Sequence, residues 1–405
     1  MNFDKLAIVS LLLSQVVYAG GYKIPESSLR ATALSTAYIA NSNGADANYY
    51  NPANLVGNDD INQMNVGITY IGLPKNKFIS SETTIKDGKS KSETFFVPYI
   101  HYASKEIDGL RYGLSIVSPA GLSKRWDSPY QKASAEEFTL KVVEINPCIA
   151  KQINDKMSLG IGARVLFSDG IVKSSSPLAS RDMTGNSIDY GYNLALNYQI
   201  SSDIKISSTY RSKVNMKLDG NAKLYAGTTK VYDGEASVSV PVPSSLVVAM
   251  SYSHNKTTYE IVYDKTNWSE YKTLDFEYDS PIPAGLKPYF DDPILKEWKD
   301  SIAYRLGITH QYNKKLDLMF GYAVEKTPIP DAKIGFDLPD SDAKIYSAGF
   351  EYKYSKTKSF GMSYLSSVKS ANNVNNSKVK GKFYSSKITL ITFGFSKSFW
   401  KLLII

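Results

Sequence analysis

The chain has 405 residues, enough for two or three ordinary domains or for one large β-domain. Lysine and arginine number 47 against 39 aspartates and glutamates, which gives a formal net charge of +8, and 43% of the residues are hydrophobic. These values exclude a collagen-like or strongly disordered chain, and the lack of an apolar run of about 18 residues excludes a polytopic helical membrane protein. One cysteine and 3 histidines exclude a disulfide framework and a structural zinc site. The excess charge is small and scattered, so we expect no nucleic-acid partner.

The first 19 residues are typical of a secretory signal peptide. Lys5 precedes the apolar stretch Leu6–Val17, and Val17-Tyr18-Ala19 is a small-x-small cleavage site. A buried helix or a membrane anchor is the alternative, but the stretch is too short to span a bilayer. A lipoprotein would need a cysteine at the cleavage point, and the one cysteine is Cys148. We therefore expect residues 1–19 to be removed and the mature chain to begin near Gly20.

From about residue 61 onward, segments of ten to fifteen residues alternate between apolar and polar side chains. Clear examples are Met157–Phe167, Ile188–Ile200 and Leu316–Val324. A period of two gives each strand one apolar and one polar face. A soluble β-sandwich would show the same alternation, so the pattern predicts strands without deciding the architecture.

The breaks between these segments favour a barrel, because short polar turns alternate with long connections along the chain. Outer-membrane barrels have tight periplasmic turns and longer external loops. With a first strand at 61–72 and a last strand at 385–399, the six short turns predict an all-β, transmembrane antiparallel barrel of about 14 strands over residues 61–399. Residues 400–405 then form a short C-terminal extension. The short turns are Lys105–Gly109, Asn154-Asp155, Ser201-Ser202, Asn255-Lys256, Asn313-Lys314 and Ser355-Lys356, and the long connections are 73–93, 119–137, 169–186, 218–243, 269–300, 326–342 and 369–384.

The 30 tyrosines fit a membrane location. Tyrosine is favoured where an apolar ring meets lipid while its hydroxyl group reaches the headgroup layer. Six of them fall on predicted outward faces near strand ends, namely Tyr190, Tyr192, Tyr198, Tyr322, Tyr352 and Tyr354. A tyrosine-rich soluble sandwich or a sugar-binding surface is the alternative explanation.

Residues 20–60 precede the barrel and do not alternate. Ser28–Ala40 is alanine-rich and spaced for a short helix. About 40 residues are too many for a simple linker, and a barrel of fourteen strands has a lumen wide enough to need filling. We expect these residues to form a plug, or hatch, with short helices inside the lumen.

The chain resembles the FadL family of outer-membrane transporters of long-chain fatty acids and other hydrophobic compounds, including its TodX type. The similar stretches occur in family order along the mature chain. They are Gly21-Tyr22, Tyr50-Asn51-Pro52-Ala53, Pro119–Ser123, Asn146-Pro147, Ile153–Gly162, Thr266–Ser269, Thr327–Asp331 and Leu338–Asp342.

The resemblance implies capture of a hydrophobe outside, a lumenal pocket, and lateral exit beside a kinked third strand. It also implies that Asn51-Pro52-Ala53 of the hatch touches the kink, although the same residues could form a plain turn. We expect the third strand at Leu110–Ser118, with Pro119 at its end. Gly113 is the expected kink, or else it merely fills space in the lumen.

Further residues of the site follow from the same resemblance. Tyr22 matches an aromatic residue that lines the family's internal pocket. Asp340 and Asp342 belong to a motif that continues with arginine in the family, whereas this chain has Ala343-Lys344. The resemblance alone therefore does not support an arginine-dependent role at this position.

A fatty-acid carboxylate buried in a pocket needs a cation or several donors. Arg164 and Arg305 fall in the middle of predicted strands on inward faces, and we prefer them to Arg111 and Arg211. The alternative is that these arginines form lumenal ion pairs with Glu144, Asp264 or Glu351. Neutral aromatic hydrocarbons, the other substrate class of the family, would need no cation. No metal or other cofactor is expected.

The longest external connection, 269–300, is the predicted capture surface. Asp292 and Pro293 are suited to cap and begin a one-turn helix that exposes Ile294, Leu295 and Trp298.

Three other functions are possible for a barrel of this kind. An enzyme is disfavoured because His101, His254 and His310 lie in separate segments without a neighbouring nucleophile or acid motif. A general diffusion porin would have an open lumen rather than a plug, and an adhesin or structural barrel is the third possibility. We expect a monomer in the bacterial outer membrane that contacts membrane lipid and passively transports long-chain fatty acids or other hydrophobic molecules.

Overall fold

The computed structural model describes residues 20–400. The signal peptide predicted at residues 1–19 and residues 401–405 of the predicted C-terminal extension lie outside this range. No helix among the described residues is long and apolar enough to cross a bilayer.

The chain forms one closed antiparallel barrel of fourteen strands, as the sequence predicts. Neighbouring strands along the chain pair with each other, and the last strand pairs with the first, so that Val66 lies opposite Phe395. The strands are β1 (Asn62–Leu73), β2 (Glu93–Ala103), β3 (Leu110–Val117 and Gly121–Arg125), β4 (Glu137–Asn154), β5 (Met157–Ser175), β6 (Ala179–Gln199), β7 (Ile204–Arg211 and Val214–Ala226), β8 (Thr229–Val242 and Ser245–His254), β9 (Thr257–Thr266), β10 (Ser301–Asn313), β11 (Leu316–Glu325), β12 (Ala343–Lys353), β13 (Lys358–Lys369) and β14 (Ser386–Phe399).

Two of the predicted long loops are absent, and a third, predicted at 119–137, begins later than expected because β3 does not end at Pro119 but continues to Arg125. Residues 169–186 and 218–243 are not irregular connections, because β5 to β8 continue as two long hairpins with tight turns after Ser175 and Ala226. The hydrogen-bonded pairing of these strands continues beyond the region in which their outward side chains are apolar. The apolar–polar alternation that marks membrane strands fades there, which is why the sequence pattern missed these ends.

The outer face of the barrel carries large apolar and aromatic side chains. Tyr190 is 72% exposed, and Ile161 and Phe393 are also exposed on this face. In a bilayer such side chains contact lipid. Of the six tyrosines predicted to face outward, Tyr352 is half-buried, and the other five are exposed, at 190, 192, 198, 322 and 354.

The hatch lies inside the barrel and packs through small residues. It contains α1 (Leu29–Ala33), α2 (Ala47–Tyr50) and a 3₁₀ helix (Pro52–Gly57). The Ser28 side chain accepts a hydrogen bond from Ala31 N and so caps α1. The helix predicted from residue 28 to 40 ends early, because Ser35 and Thr36 have φ values of 48° and 60° that a right-handed helix cannot continue.

The external end is covered by the connecting loops, which include α3 (Pro129–Ala135) and α4 (Lys287–Phe290). Phe78, Trp126, Phe336 and Phe383 come from four different connections and pack in one cluster, with ring centroids of Phe78 and Phe336 5.0 Å apart. The loops therefore form a packed cover over the lumen. Short strands also occur in them, at Lys77–Ser80, Gly88–Lys89, Thr273–Leu274, Phe276–Tyr278, Ile294–Leu295, Asn372–Asn375 and Lys380–Phe383, together with 3₁₀ turns at Thr84–Lys86, Trp268–Glu270, Ala284–Leu286 and Asp331–Lys333.

Candidate functional site

The wall of the barrel is irregular at β3. Val117 lies opposite Glu144 and Gly121 opposite Lys141, so residues 118–120 of β3 face only residues 142–143 of β4. This is a β-bulge, which bends the strand. It contains Pro119, which has no N–H to donate to a ladder.

The bulge leaves a gap between β2 and β3. Ladder pairing joins these strands only from Ile100–Ala103 to Gly113–Ile116, whereas residues 93–99 of β2 have their ladder partners on β1 alone. Above the gap, Lys91 N donates to Arg125 O at 2.9 Å. The gap is therefore a window in the wall, bounded by hydrogen bonds at both ends.

The first residues of the hatch close this window from the inside. Gly121 N donates to Tyr22 O, and Ile24 N donates to Pro119 O, both at 2.8 Å. The Ile24 side chain shares an apolar cluster with Phe95 and Val97 of β2. Tyr22–Ile24 thus replaces the missing strand contacts of the bulge without being part of the barrel.

The hydrogen bonds of Asn51-Pro52-Ala53 go to the hatch itself and to β5, and not to the bulge at residues 118–120. Asn51 donates to Ile39 O at 3.0 Å, and Ala53 O accepts from Ser158 Oγ at 2.8 Å. A Cβ built on Gly160 would lie 2.6 Å from Ala53 N. These residues are therefore seated on β5, where small side chains of the wall let the hatch backbone approach.

Gly113 is likewise not the kink, because it pairs regularly with Cys148 and Ala103. It instead leaves room for the side chain of Asn48.

Beside Gly113, a buried chain of hydrogen bonds ties the hatch to the wall below the window. Asn48 Nδ2 donates to Ser115 Oγ at 2.8 Å, and Ser115 Oγ is 2.8 Å from His101 Nδ1. His101 Nε2 is 2.8 Å from Ser27 O. From the sequence alone His101 looks isolated, because the alternation of the strands gives no sign of a contact with Ser27, 74 positions away.

Two cavities lie on either side of Tyr22, which lines both. The upper one lies toward the external loops, and the lower one lies against the hatch. The Tyr22 hydroxyl donates to Pro241 O at 2.5 Å, and its ring meets Trp268 edge-on at 4.7 Å between centroids. Tyr22 therefore forms a partition between the cavities.

The upper cavity is almost wholly apolar. Its charged lining is one ion pair, in which Lys296 Nζ lies 3.1 Å from Asp337 Oδ2. Burial lowers the pKa of Lys296, but the Asp337 carboxylate more than offsets this, so the pKa lies above its ordinary value. The apolar lining includes Leu122, Phe138, Leu140, Val172, Met183, Leu218, Val240, Leu274, Phe276 and Leu338.

The lower cavity carries buried charges, including the two arginines preferred from the sequence. Arg305 lies 3.3 Å from Asp264 and 3.5 Å from Glu325, and Arg164 lies 2.9 Å from Glu144. The alternative explanation, lumenal ion pairs, therefore describes both residues.

Arg211, which the strand pattern does not favour over Arg164 and Arg305, lies beside Arg164. Its guanidinium pairs with the same Glu144 that binds Arg164, so that two cations share one carboxylate. It also lies over the ring of Tyr49, 4.3 Å from the centroid. This corner of the lower cavity has a surplus of one positive charge.

Trp298 is not on an exposed capture surface. It is 5% exposed, and its ring lies 5.0 Å from Trp268 and 5.1 Å from Tyr271 between centroids. The predicted helix at Asp292 is absent, because α4 precedes it and Ile294–Leu295 pairs with Thr273–Leu274. Of the three predicted residues, Leu295 is exposed and Ile294 is half-buried.

The two aspartates of the external motif have different surroundings. Asp340 is buried and accepts from Lys369 Nζ at 2.5 Å, from Thr327 Oγ1 at 2.6 Å and from Gly21 N at 3.4 Å. Asp342 accepts from Thr327 N at 3.0 Å and has no recorded contact with the hatch. Asp340 is thus the one that holds the start of the hatch.

Residues 10–399 match the sequence family described as outer membrane protein transport protein (OMPP1/FadL/TodX). The chain belongs to this family. A long-chain fatty acid transport protein from Escherichia coli O6:H1 is 23% identical over 412 residues, which cover 89% of this chain and 90% of the relative.

Solved structures of FadL/TodX-type proteins share the fold. A Pseudomonas aeruginosa FadL homologue superposes with a TM-score of 0.82 at 14% identity, covering 94% of this chain and 100% of that one. The Ralstonia pickettii toluene transporter TbuX superposes with a TM-score of 0.71 at 16% identity, covering 92% and 98%.

Family membership makes this protein an outer-membrane transport barrel and not an enzyme. Residues 20–400 also contain no cluster of histidine, cysteine, aspartate and glutamate side chains arranged to hold a metal ion.

Proposed function

We propose that the protein passively transports long-chain fatty acids or other hydrophobic molecules, which enter the upper cavity, pass Tyr22 and leave sideways between β2 and β3. The observation that carries this proposal is the window beside the bulge at residues 118–120. Breaking a regular ladder inside a membrane would expose backbone polar groups to lipid. Here the ladder is already interrupted, so the Tyr22–Ile24 segment can move without breaking a strand pair of the barrel.

The upper cavity suits the hydrocarbon part of such a substrate, since its lining is apolar and its one ion pair is satisfied. Ile294 and Leu295 are proposed as part of the external capture surface, and Trp298 is not, because it is buried. Asn51-Pro52-Ala53, seated on β5, is proposed as the fixed base of the hatch against which the Tyr22–Ile24 segment moves.

The lower cavity suits a carboxylate at one corner. An anion placed beside Arg211 would balance the surplus charge that Glu144 leaves unneutralised. We therefore propose Arg211, assisted by Arg164, as the group that meets a fatty-acid carboxylate. Arg305 is less suited, because two carboxylates already surround it.

Deleting Pro119 tests the lateral route. The deletion places two residues of β3 opposite two of β4, which removes the bulge and lets the ladder to β2 continue. Uptake of radiolabelled oleate and of toluene by cells should both fall at least tenfold. The control is deletion of Gly285, an external residue with open space around it. A correctly folded Pro119 deletion that transports normally would exclude lateral exit at this window.

Replacing Arg211 by Gln tests the carboxylate site and separates the two substrate classes. Oleate uptake should fall about tenfold while toluene uptake stays within twofold, because a neutral hydrocarbon needs no cation. Lys173→Gln, which changes an exposed ion pair that does not line the lower cavity, is the matched control. Equal losses for both substrates would mean that Arg211 only supports the wall, and normal uptake of both would rule out a carboxylate site there.

A further inference from the structure

Five charged side chains lie together where the start of the hatch meets β9, β10 and β11. Lys23 and Arg305 both contact Asp264, at 3.1 and 3.3 Å, and Arg305 also contacts Glu325. Glu26 faces the same group; it is 4% exposed and its Oε2 atom has no hydrogen-bond partner. Three carboxylates thus face two cations in a largely buried place. Burying an uncompensated charge is costly, so the group needs one more positive charge or a proton.

Gly20 lies beside this deficit. A Cβ built on Gly20 would lie 2.6 Å from Glu325 Oε1, so the carboxylate occupies the space where a Gly20 side chain would be. The next residue is equally confined, since a Cβ on Gly21 would lie 2.5 Å from the Trp268 ring, and its φ of 79° favours glycine. The chain therefore enters the cluster through two glycines, where a larger residue has no room.

We infer that the α-ammonium group released when the signal peptide is cut before Gly20 binds Glu325 and supplies the missing positive charge of this cluster. The inference rests on the cleavage site expected from the sequence and not on the transport proposal. The chain end would then be held by three contacts: the ammonium–carboxylate pair with Glu325, packing of Gly21 on Trp268, and the Gly21 N–H on Asp340.

The consequence concerns the window. Tyr22–Ile24 covers it from the inside and follows directly after the anchored end. An uncut or extended chain cannot place a charged terminus at Glu325, so its window cover is less firmly held. Processing of the precursor would thus complete the closed state of the channel.

The test uses the mature full-length protein purified from membranes. Mass spectrometry first establishes whether the chain begins at Gly20; a different start overturns the inference. The α-amine is then labelled near pH 7 with an N-hydroxysuccinimide ester, and the N-terminal peptide is quantified against a urea-unfolded reference. In the folded protein we expect labelling at least tenfold slower than in the reference. In Glu325→Gln it should rise to within about threefold of the reference.

A second variant guards against general unfolding. One alanine inserted before Gly20 should lower the thermal unfolding temperature, and adding Glu325→Gln to it should lower it further by less than Glu325→Gln does alone, because only the contact with Arg305 is left to lose. Asp182→Asn, which alters an exposed ion pair elsewhere, should change neither labelling nor stability. Labelling of the unmutated folded protein at the reference rate would overturn the inference, as would equal effects of Glu325→Gln with and without the inserted alanine. Proton neutralisation of Glu26 would then explain the cluster.

Discussion

Asp46 shows how single buried groups set the stability of the hatch. Its carboxylate is almost fully buried, near Arg30 and Tyr38, and its Oδ2 atom has no hydrogen-bond partner. Burial raises its pKa to about 6, although Arg30 opposes the rise. A raised folded-state pKa stabilises the fold at low pH, and that stabilisation is lost as the pH passes through the folded value.

We therefore expect Asp46→Asn to flatten part of the pH dependence of hatch stability. Between pH 4 and 7 the wild type should lose stability relative to the variant, by no more than about 3 kcal/mol for a shift of this size. Protection of the hatch from a broad-specificity protease, followed as a function of pH, measures this. Parallel profiles for the two proteins would mean that Asp46 does not titrate in this range.

The charged residues also show what a sequence can reveal about the site. Alternation along the strands correctly places Arg164, Arg211 and Arg305 in the lumen. The alternation cannot show which of them is best suited to bind a substrate carboxylate, because that depends on which protein carboxylate each arginine already contacts. Arg164 and Arg211 share Glu144 only through the register of four neighbouring strands, from β4 to β7. That register is a property of the closed barrel, and no local pattern encodes it.

The connection between β9 and β10 behaves as a packed element and not as a flexible capture loop. Trp268, Tyr271 and Trp298 pack on Tyr22, so this loop forms part of the partition between the cavities. A local helix pattern predicts an exposed Trp298, because such a pattern contains no information about distant partners.

Trp298→Ala and Leu295→Ser should therefore differ strongly in stability. Removing the buried indole should lower the free energy of unfolding by about 3–5 kcal/mol, whereas Leu295 is exposed and its loss should cost less than about 0.5 kcal/mol. Denaturant titration in detergent micelles measures both variants under the same conditions. Similar stabilities would show that the aromatic cluster contributes little to the fold.

At the scale of the whole molecule, the barrel wall is uneven in height. β6 has 21 residues and β5 has 19, whereas β9 and β11 have 10 each. The long hairpins β5–β6 and β7–β8 form one side of the upper cavity, through residues such as Gly170, Met183 and Val238. The number of strands could be predicted from their apolar faces, but this height could not, because it arises where those faces end.

Shortening the β7–β8 hairpin should reduce capture of the substrate without preventing the barrel from folding. Replacing residues 221–235 by Asn-Gly, which favours a tight hairpin turn, should leave the membrane part intact. Heat-modifiable migration on gels should stay normal, while oleate uptake at low concentration should fall several-fold as part of the cavity wall is lost. Loss of the folded band would mean instead that the hairpin stabilises the barrel.

The length of the β5–β6 and β7–β8 hairpins is relevant to how a hydrophobic molecule reaches the membrane-spanning part of the barrel. At roughly 3.4 Å per residue and a tilt of about 40°, a strand the length of β6 rises roughly 50 Å, about twice the height of the apolar band of an outer-membrane barrel. The upper half of these hairpins therefore stands among the hydrated sugars of the cell surface. In the proposed route, a water-insoluble molecule that meets this half descends along the apolar lining of the upper cavity and does not have to cross the hydrated layer outside the membrane.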